Sequence, residues 1–241
     1  MERLLEVQGI TKSFRGLKAV AGVSFGVNQG EIVALIGPNG AGKTTVFNMA
    51  AGVYRPDAGQ VTLAGGRIDG LRPDQICQAG LGRTFQNVRP FPGISVLDNV
   101  LVGALRHRGS VKAARARAEA TLERLGLWPK RFDMASTLTL PDRKRLEVAR
   151  ALATEPRILL LDEVMAGLRP TETDQMVAVF RELNEKQGLT ILLIEHVMRA
   201  VMALSRHIVV LHHGEVIKEG APDEVVRDPA VLECYLGEEA L

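Results

Sequence analysis

Runs in which apolar and polar residues alternate open the chain: "LLEVQGI", "VAGVSFGV", then the almost wholly apolar "EIVALIG". A period of two marks half-buried strands, and "QVTLAGGRI", with Gly65-Gly66, reads as a hairpin, so the first sixty or so residues read as mostly antiparallel β. Between them, Thr44 to Ala51 reads as a helix opened by a glycine-rich stretch and closed near Gly52. From about Gln86 to Arg150 the texture changes. "ISVLDNVLVGALRHR" and "VKAARARAEATLERLGL" carry apolar residues at helical spacing, with no convincing strand, which predicts a helical insertion. After residue 150 apolar strands alternate with helices: "RILLL" ending at Asp162, a helix from about Thr171 to Gln187, "TILLIEH", a helix through "VMRAVMAL", then "HIVVLHH" and "EVIKEG" around Gly214. Continuous apolar strands alternating with helices predict a buried parallel sheet and an α/β fold. No internal repeat or low-complexity linker interrupts the pattern.

Composition narrows the classes. At 241 residues and 46% hydrophobic content the chain can bury a substantial core. Thirty basic side chains against 28 acidic ones leave a net charge of +2, which makes no electrostatic case for nucleic acid or a membrane surface. "RHRGSVKAARARAEA" reads as a solvated basic helix face, because no aromatic residues interleave for base stacking. The two cysteines, Cys77 and Cys234, lie far apart and in no metal-type spacing, which fits a reducing compartment. No apolar run reaches the ~18 residues of a spanning helix, and "MERLLEVQGITKSF" lacks a signal-peptide layout. The expectation is a cytosolic chain that works at a membrane, if at all, by docking onto other subunits.

The glycine-rich stretch "GPNGAGKTT" supplies the first chemistry. Gly37, Pro38, Asn39, Gly40, Ala41, Gly42, Lys43, Thr44 and Thr45 lie between a strand and a helix, where successive backbone N–H groups can turn toward one centre. Lys43 is expected to reach the β- and γ-phosphates of a nucleotide, and the Thr44 hydroxyl to ligate Mg²⁺. "ILLLDE" then delivers two carboxylates at the end of an apolar strand: Asp162 for the metal, and Glu163, pointing elsewhere, as general base for a water attacking the γ-phosphate. In "LLIEHVM", His196 follows another apolar strand and is expected on the same sheet edge, where a neutral imidazole can contact the γ-phosphate or the water. His107, His207, His212 and His213 lack such placement and read as surface or core residues.

These residues resemble those of the ATP-binding subunits of ABC transporters. The phosphate loop is similar to Walker A, "ILLLDE" to Walker B with its adjoining glutamate, His196 to the switch histidine, and Gln86 in "RTFQNVRPF" to the Q-loop glutamine. Phe14 in "TKSFRGLKAV" stands where the family stacks an aromatic on adenine. The match runs over essentially the whole chain. It implies a single cassette, residues 1–241: a P-loop NTPase core of ABC ATPase type with an N-terminal antiparallel β subdomain (1–85 and 151–241), and an inserted α-helical subdomain (86–150). It further implies ATP and Mg²⁺ as ligands, with Gln86 at the metal beside Thr44 and Asp162. Its partners are then two permease subunits, a second ATP-binding subunit and, indirectly, an extracytoplasmic solute-binding protein, with no nucleic acid. The place of work is the cytoplasmic face of a bacterial inner membrane. "RTFQNVRPFPGISVLDNVLVG", "LIEHVMRAVMALS" and the tail "EGAPDEVVRDP…YLGEEA" resemble the subunits that energise branched-chain amino acid importers; an importer of another small polar solute such as urea or amides is the alternative.

One stretch departs from the family. Its signature, typically LSGGQ, is here "LTLPD", Leu138 to Asp142. Thr139 keeps a hydroxyl, but Leu140 and Pro141 stand where glycines would be, and Pro141 lacks a backbone N–H for the partner subunit's phosphate. Losing one hydrogen bond to a charged group is worth ~1.5–3 kcal/mol, and Asp142 is expected to add repulsion. Val164 and Arg169 also replace the usual Pro and Asp or Asn. Because these changes lie on the surface completing the opposite site, the expectation is asymmetry in a heterodimer: paired with a different subunit bearing a normal signature, this chain's own site works and the facing one is slowed, whereas in a homodimer both sites are weakened. A soluble ABC-type ATPase of DNA repair or translation would want a coiled-coil insertion, duplicated cassettes or a basic stripe. A small-molecule kinase would leave Gln86 and His196 unexplained.

Overall fold

The computed structural model describes residues 2–86, 90–106 and 109–236. Alternating burial makes Arg3–Phe14 (β1) and Leu17–Asn28 (β2) an antiparallel pair, with Phe14 facing Leu17. Arg15 and Gly16 turn the chain with positive φ of 48° and 90°, the conformation that matches strand twist in a two-residue hairpin. Ala58–Leu63 (β4) joins β1, and Gly66–Arg67 (β5) joins β4, completing a four-stranded sheet in the order β2-β1-β4-β5. The turn of this second hairpin consists of Ala64 and Gly65, at φ 50° and 77°; Gly66 pairs with Leu63 and belongs to the strand.

The second sheet has six strands in the order β10-β9-β3-β8-β7-β6. Its members are Ile32–Ile36 (β3), Leu81–Arg83 (β6), Ile158–Asp162 (β7), Thr190–Ile194 (β8), His207–His212 (β9) and Glu215–Gly220 (β10). All pair in parallel except β10, which returns antiparallel along β9. Strand β6 has no periodic signal, since three residues are too few to show one; it exists because Leu81, Gly82 and Arg83 pair with Ile158, Leu159 and Leu160.

Both faces of this sheet are covered, which is why its central strands are apolar throughout. One face packs on Lys43–Ala50 (α1), Pro73–Ala79 (α2) and the antiparallel sheet, through residues such as Val33, Leu35, Phe47 and Leu160. The other face, through Ile32, Leu159 and Leu193, shares one continuous cluster with Val96–Ala104 (α3), Val111–Arg124 (α4), Leu140–Leu152 (α5), Pro170–Gln187 (α6) and Met198–Leu204 (α7). Ser95 and Ser110 cap α3 and α4, their hydroxyls accepting from the Asp98 and Ala113 amides. The short helices Pro222–Val225 (α8) and Pro229–Leu236 (α9) complete the described chain. No helix among the described residues is long and apolar enough to cross a membrane.

Parallel strands share a direction, so the loops after β3, β6, β7 and β8 emerge on one edge. The loop after β3 depends on glycine there. Gly37 has φ 145°, and an added Cβ would lie 2.0 Å from the Leu211 carbonyl oxygen; Gly42 has φ 101°, with a Cβ at 2.5 Å from that of Ala19. Neither position accepts a side chain without moving backbone.

Candidate active site

Four loops meet at that edge. After β3, residues 37–42 lead into α1, which starts at Lys43. The Lys43 side chain is buried, and its ammonium donates to the Gly37 and Pro38 carbonyls at 2.6 and 2.7 Å, folded back over the loop's own backbone. Asn39 and Gly40 are exposed, and Thr44 and Thr45 lie half-buried at the opening turn of α1.

Strand β7 ends on Asp162, which is 1% exposed. Its Oδ2 accepts from Arg83 Nη2 at 3.0 Å, its backbone N–H donates to the Thr84 hydroxyl, and its Oδ1 is buried with no hydrogen-bond partner. Burial raises the Asp162 pKa above the ordinary carboxylate value, against the pull of the Arg83 guanidinium. A buried, unpartnered oxygen of this kind fits a divalent cation.

Glu163 turns sharply away at φ 51°, a conformation uncommon for a non-glycine residue. Its N–H donates to the Ile194 carbonyl and its own carbonyl accepts from Lys144 Nζ at 2.9 Å, so backbone contacts on two sides hold the strained turn. The turn aims the carboxylate between two other loops. Gln86 Nε2, after β6, donates to Oε2 at 2.8 Å, and His196 Nε2, after β8, lies 2.9 Å from Oε1. Gln86, Glu163 and His196 thus meet in one cluster as a set; Gln86 spends its amide on Glu163, while Arg83 stands beside Asp162. Phe14 packs edge-on against Tyr54 with ring centroids 5.2 Å apart, beneath the Lys12 ammonium.

Three contributors escape a reading of the sequence alone. Arg83 ends a strand too short to recognise. Lys144 acts through a backbone carbonyl, which no side-chain pattern reports. Glu195 is the third: it is 1% exposed, with Oε1 accepting from the Met165 N–H at 2.8 Å and Oε2 unpartnered. Its adjacency to His196 was the one available signal. Burial pushes its carboxyl up to about 7, with the Met165 N–H and Lys144 pulling the other way. The folded chain therefore holds this proton more tightly than an unfolded one whose pKa is 4.5. The stability gained is complete below about pH 4.5 and is lost as pH rises toward 7, on the order of 3 kcal/mol in all. Thermal midpoints recorded between about pH 5 and about pH 7.5 should fall more steeply for the wild type than for Glu195→Gln; parallel slopes would contradict the assignment.

The departing loop "LTLPD" starts α5. Thr139 is the N-cap residue, and its hydroxyl donates to Asp142 Oδ2 at 2.8 Å. The same carboxylate is ion-paired with Lys130. Burial acts to raise the Asp142 pKa, but the Lys130 and Thr139 hydrogen bonds outweigh it and hold the group below its ordinary value. The charge expected to repel a facing phosphate is thus neutralised within the chain. Leu140, instead of glycine, is half-exposed and lies 3.5 Å from where a Cβ on Gly167 would stand. Asp142→Gln should lower stability by about 1 kcal/mol through loss of the partly buried pair, read as a drop in the thermal midpoint. His207 lies 3.7 Å from Glu219 and His212 stacks on His213, whereas His107 falls outside the described residues, as do 87–89 of the Q-loop stretch and 237–241 of the tail.

Comparison with known proteins meets this geometry. Residues 20–166 match the ABC transporter family, and residues 215–240 match the family described as branched-chain amino acid ATP-binding cassette transporter. The chain is 42% identical to BraF of Pseudomonas aeruginosa and 43% identical to LivG of Salmonella typhimurium, covering 98% of each partner and of itself. Both are high-affinity branched-chain amino acid transport ATP-binding proteins. Among solved structures, the ADP conformation of MJ1267, an ATP-binding cassette of an ABC transporter, superposes with a TM-score of 0.89 at 31% identity, over 98% of this chain and 100% of that one. A dimeric post-hydrolysis state of the cassette MJ0796 bound to ADP and phosphate gives 0.84 at 25% identity, over 91% and 99%. With the loop after β3, the acids after β7 and the histidine after β8 arranged as above, this chain belongs to the ABC transporter family, as one of its nucleotide-binding, ATP-hydrolysing cassettes.

Proposed function

We propose that this cassette energises a bacterial importer of branched-chain or related amino acids, working at the cytoplasmic face of the membrane with two permease subunits and a second ATP-binding subunit. The observation that carries the hydrolytic part is the Glu163 carboxylate, with Gln86 on one oxygen and His196 on the other. A base held by groups from two separate loops becomes productive only when those loops are placed correctly, which suits an ATPase gated by its partners. Residues 37–45 would bind the phosphates and Lys43 would leave the loop carbonyls for the β- and γ-oxygens. Thr44 and the Oδ1 of Asp162, with Gln86 nearby, would hold Mg²⁺. Bound there, the cation neutralises developing charge on the phosphates. Among the described residues no three His, Cys, Asp or Glu side chains converge as a metal cage, as suits an ion that relies on phosphate oxygens and water. Glu163 would accept the proton of the attacking water, with His196 and Gln86 orienting both. Phe14 would stack on adenine.

The groove between α2, β6 and the helical layer is the natural permease seat. It has a volume of about 260 Å³ and is lined by Ile76, Cys77, Phe85, Val102 and Arg150 among others. Phe85 in its wall is about half exposed, and so is Phe91, which lies beneath the guanidinium of the groove residue Arg150. The similarity to BraF and LivG along 98% of the chain supports the amino-acid assignment. In the signature loop, the remaining defect is the missing N–H of Pro141, because Asp142 is paired with Lys130. We therefore keep the asymmetry for a pair with a normal-signature subunit, and attribute it to Pro141 together with Val164 and Arg169 and no longer to Asp142.

Reconstitution with its permease and solute-binding partners tests the function. ATPase activity should rise with leucine, isoleucine or valine on the binding protein. Stimulation by urea or amides instead, or co-purification with no integral membrane protein, would remove the assignment.

A further inference from the structure

We propose that Arg83 is a positioning residue that couples the permease groove to Asp162, setting which carboxylate oxygen faces the metal. The inference rests on the reading of the groove given above. Arg83 closes β6 with a side chain 8% exposed, and its planar guanidinium is engaged on every edge. Nη2 donates to Asp162 Oδ2 at 3.0 Å, Nη1 to Asn48 Oδ1 on α1 at 2.7 Å, and Nε to the Thr84 carbonyl at 3.2 Å. With Oδ2 accepting from Arg83, Oδ1 is the oxygen of Asp162 left without a hydrogen bond, buried and free of any competing partner. The fork therefore selects one oxygen and ties it to α1, the helix that the phosphate loop opens.

The opposite side of the same side chain forms part of the groove wall. Its guanidinium lies 5.2 Å from the centre of the Phe85 ring, which is 51% exposed at the groove. The Phe85 N–H donates to Glu147 Oε1 of α5 at 2.6 Å, so its backbone follows the helical layer. An occupant pressing on Phe85 thus acts on Arg83, and through it on Asp162, with a contact at each step. Lysine cannot substitute, since a single ammonium cannot span Asn48 and Asp162 in one plane.

The test measures the Mg²⁺ concentration that half-saturates tight binding of trinitrophenyl-ATP, with nucleotide affinity in EDTA as the control. It is made on the full chain alone and on the chain assembled with its permease. In the chain alone, Arg83→Gln should raise the Mg²⁺ requirement at least about tenfold while leaving metal-free affinity unchanged. Arg83→Lys should recover only part of the loss, and Asn48→Ala should move it less, in the same direction. On assembly the wild-type Mg²⁺ requirement should shift, and Arg83→Gln should abolish that shift. An unaltered Mg²⁺ requirement in both Arg83 variants, or equal losses with and without metal, overturns the proposal, as does a normal assembly shift in Arg83→Gln. If wild-type chain fails to co-purify with any permease, the groove reading falls, and the chain-alone titration still decides whether Arg83 positions Asp162.

Discussion

Glu163→Gln should lower ATP turnover in the assembled transporter by about 10²–10⁴-fold, the range for loss of a positioned general base. ATP affinity should hardly change, because the Glu163 carboxylate is engaged by Gln86 and His196, on loops other than the phosphate loop. Two details of the turn sharpen the expectation. The strained φ of 51° is held by the Ile194 carbonyl and by Lys144, neither of which senses the side chain, so glutamine should sit where glutamate sat. Its Nε2 would then meet a donor from Gln86 or His196, loosening the cluster without unfolding it. Single-turnover hydrolysis alongside equilibrium nucleotide binding separates the two effects. Full turnover by the variant in the intact complex would remove Glu163 from the chemistry and the proposed mechanism with it.

The second large effect belongs to Lys43, and it falls on binding. Lys43→Ala removes a buried ammonium that now satisfies the Gly37 and Pro38 carbonyls and that would transfer to phosphate oxygens. Charge-assisted hydrogen bonds of this kind contribute about 1.5–3 kcal/mol each, so nucleotide affinity should fall by roughly 10²-fold or more. The loop should survive, since its shape is set by the conformations of Gly37 and Gly42 against Leu211 and Ala19 and not by the lysine. The contrast is diagnostic. A trinitrophenyl-ATP titration should show lost affinity for Lys43→Ala and retained affinity for Glu163→Gln, with the thermal midpoint close to wild type for Glu163→Gln and modestly lowered for Lys43→Ala, whose two loop carbonyls lose their donor. If Lys43→Ala binds nucleotide normally, the phosphate assignment of residues 37–45 is wrong.

The chain's linear pattern determined much on its own. Period-two alternation in β1 and β2, and unbroken apolar runs in β3, β7 and β8, set the two kinds of sheet, because burial on one face or on two writes itself into composition. The position of the glycines, Lys43, the paired acids and His196 at one sheet edge was legible because the proposed phosphate chemistry calls for those residue types at the ends of parallel strands. What only the tertiary structure decided is pairing between distant segments. Arg83 and Asp162 are 79 positions apart, Gln86 and Glu163 are 77 apart, and Lys144 reaches a carbonyl; none of these leaves a local period to detect. The fate of Asp142 is the clearest case. In the sequence it is an acid facing a polyanion, whereas in the fold Lys130 lies against it and offsets its charge while keeping it ionised, since a carboxylate's electrostatic effect depends on which cation the chain has folded beside it.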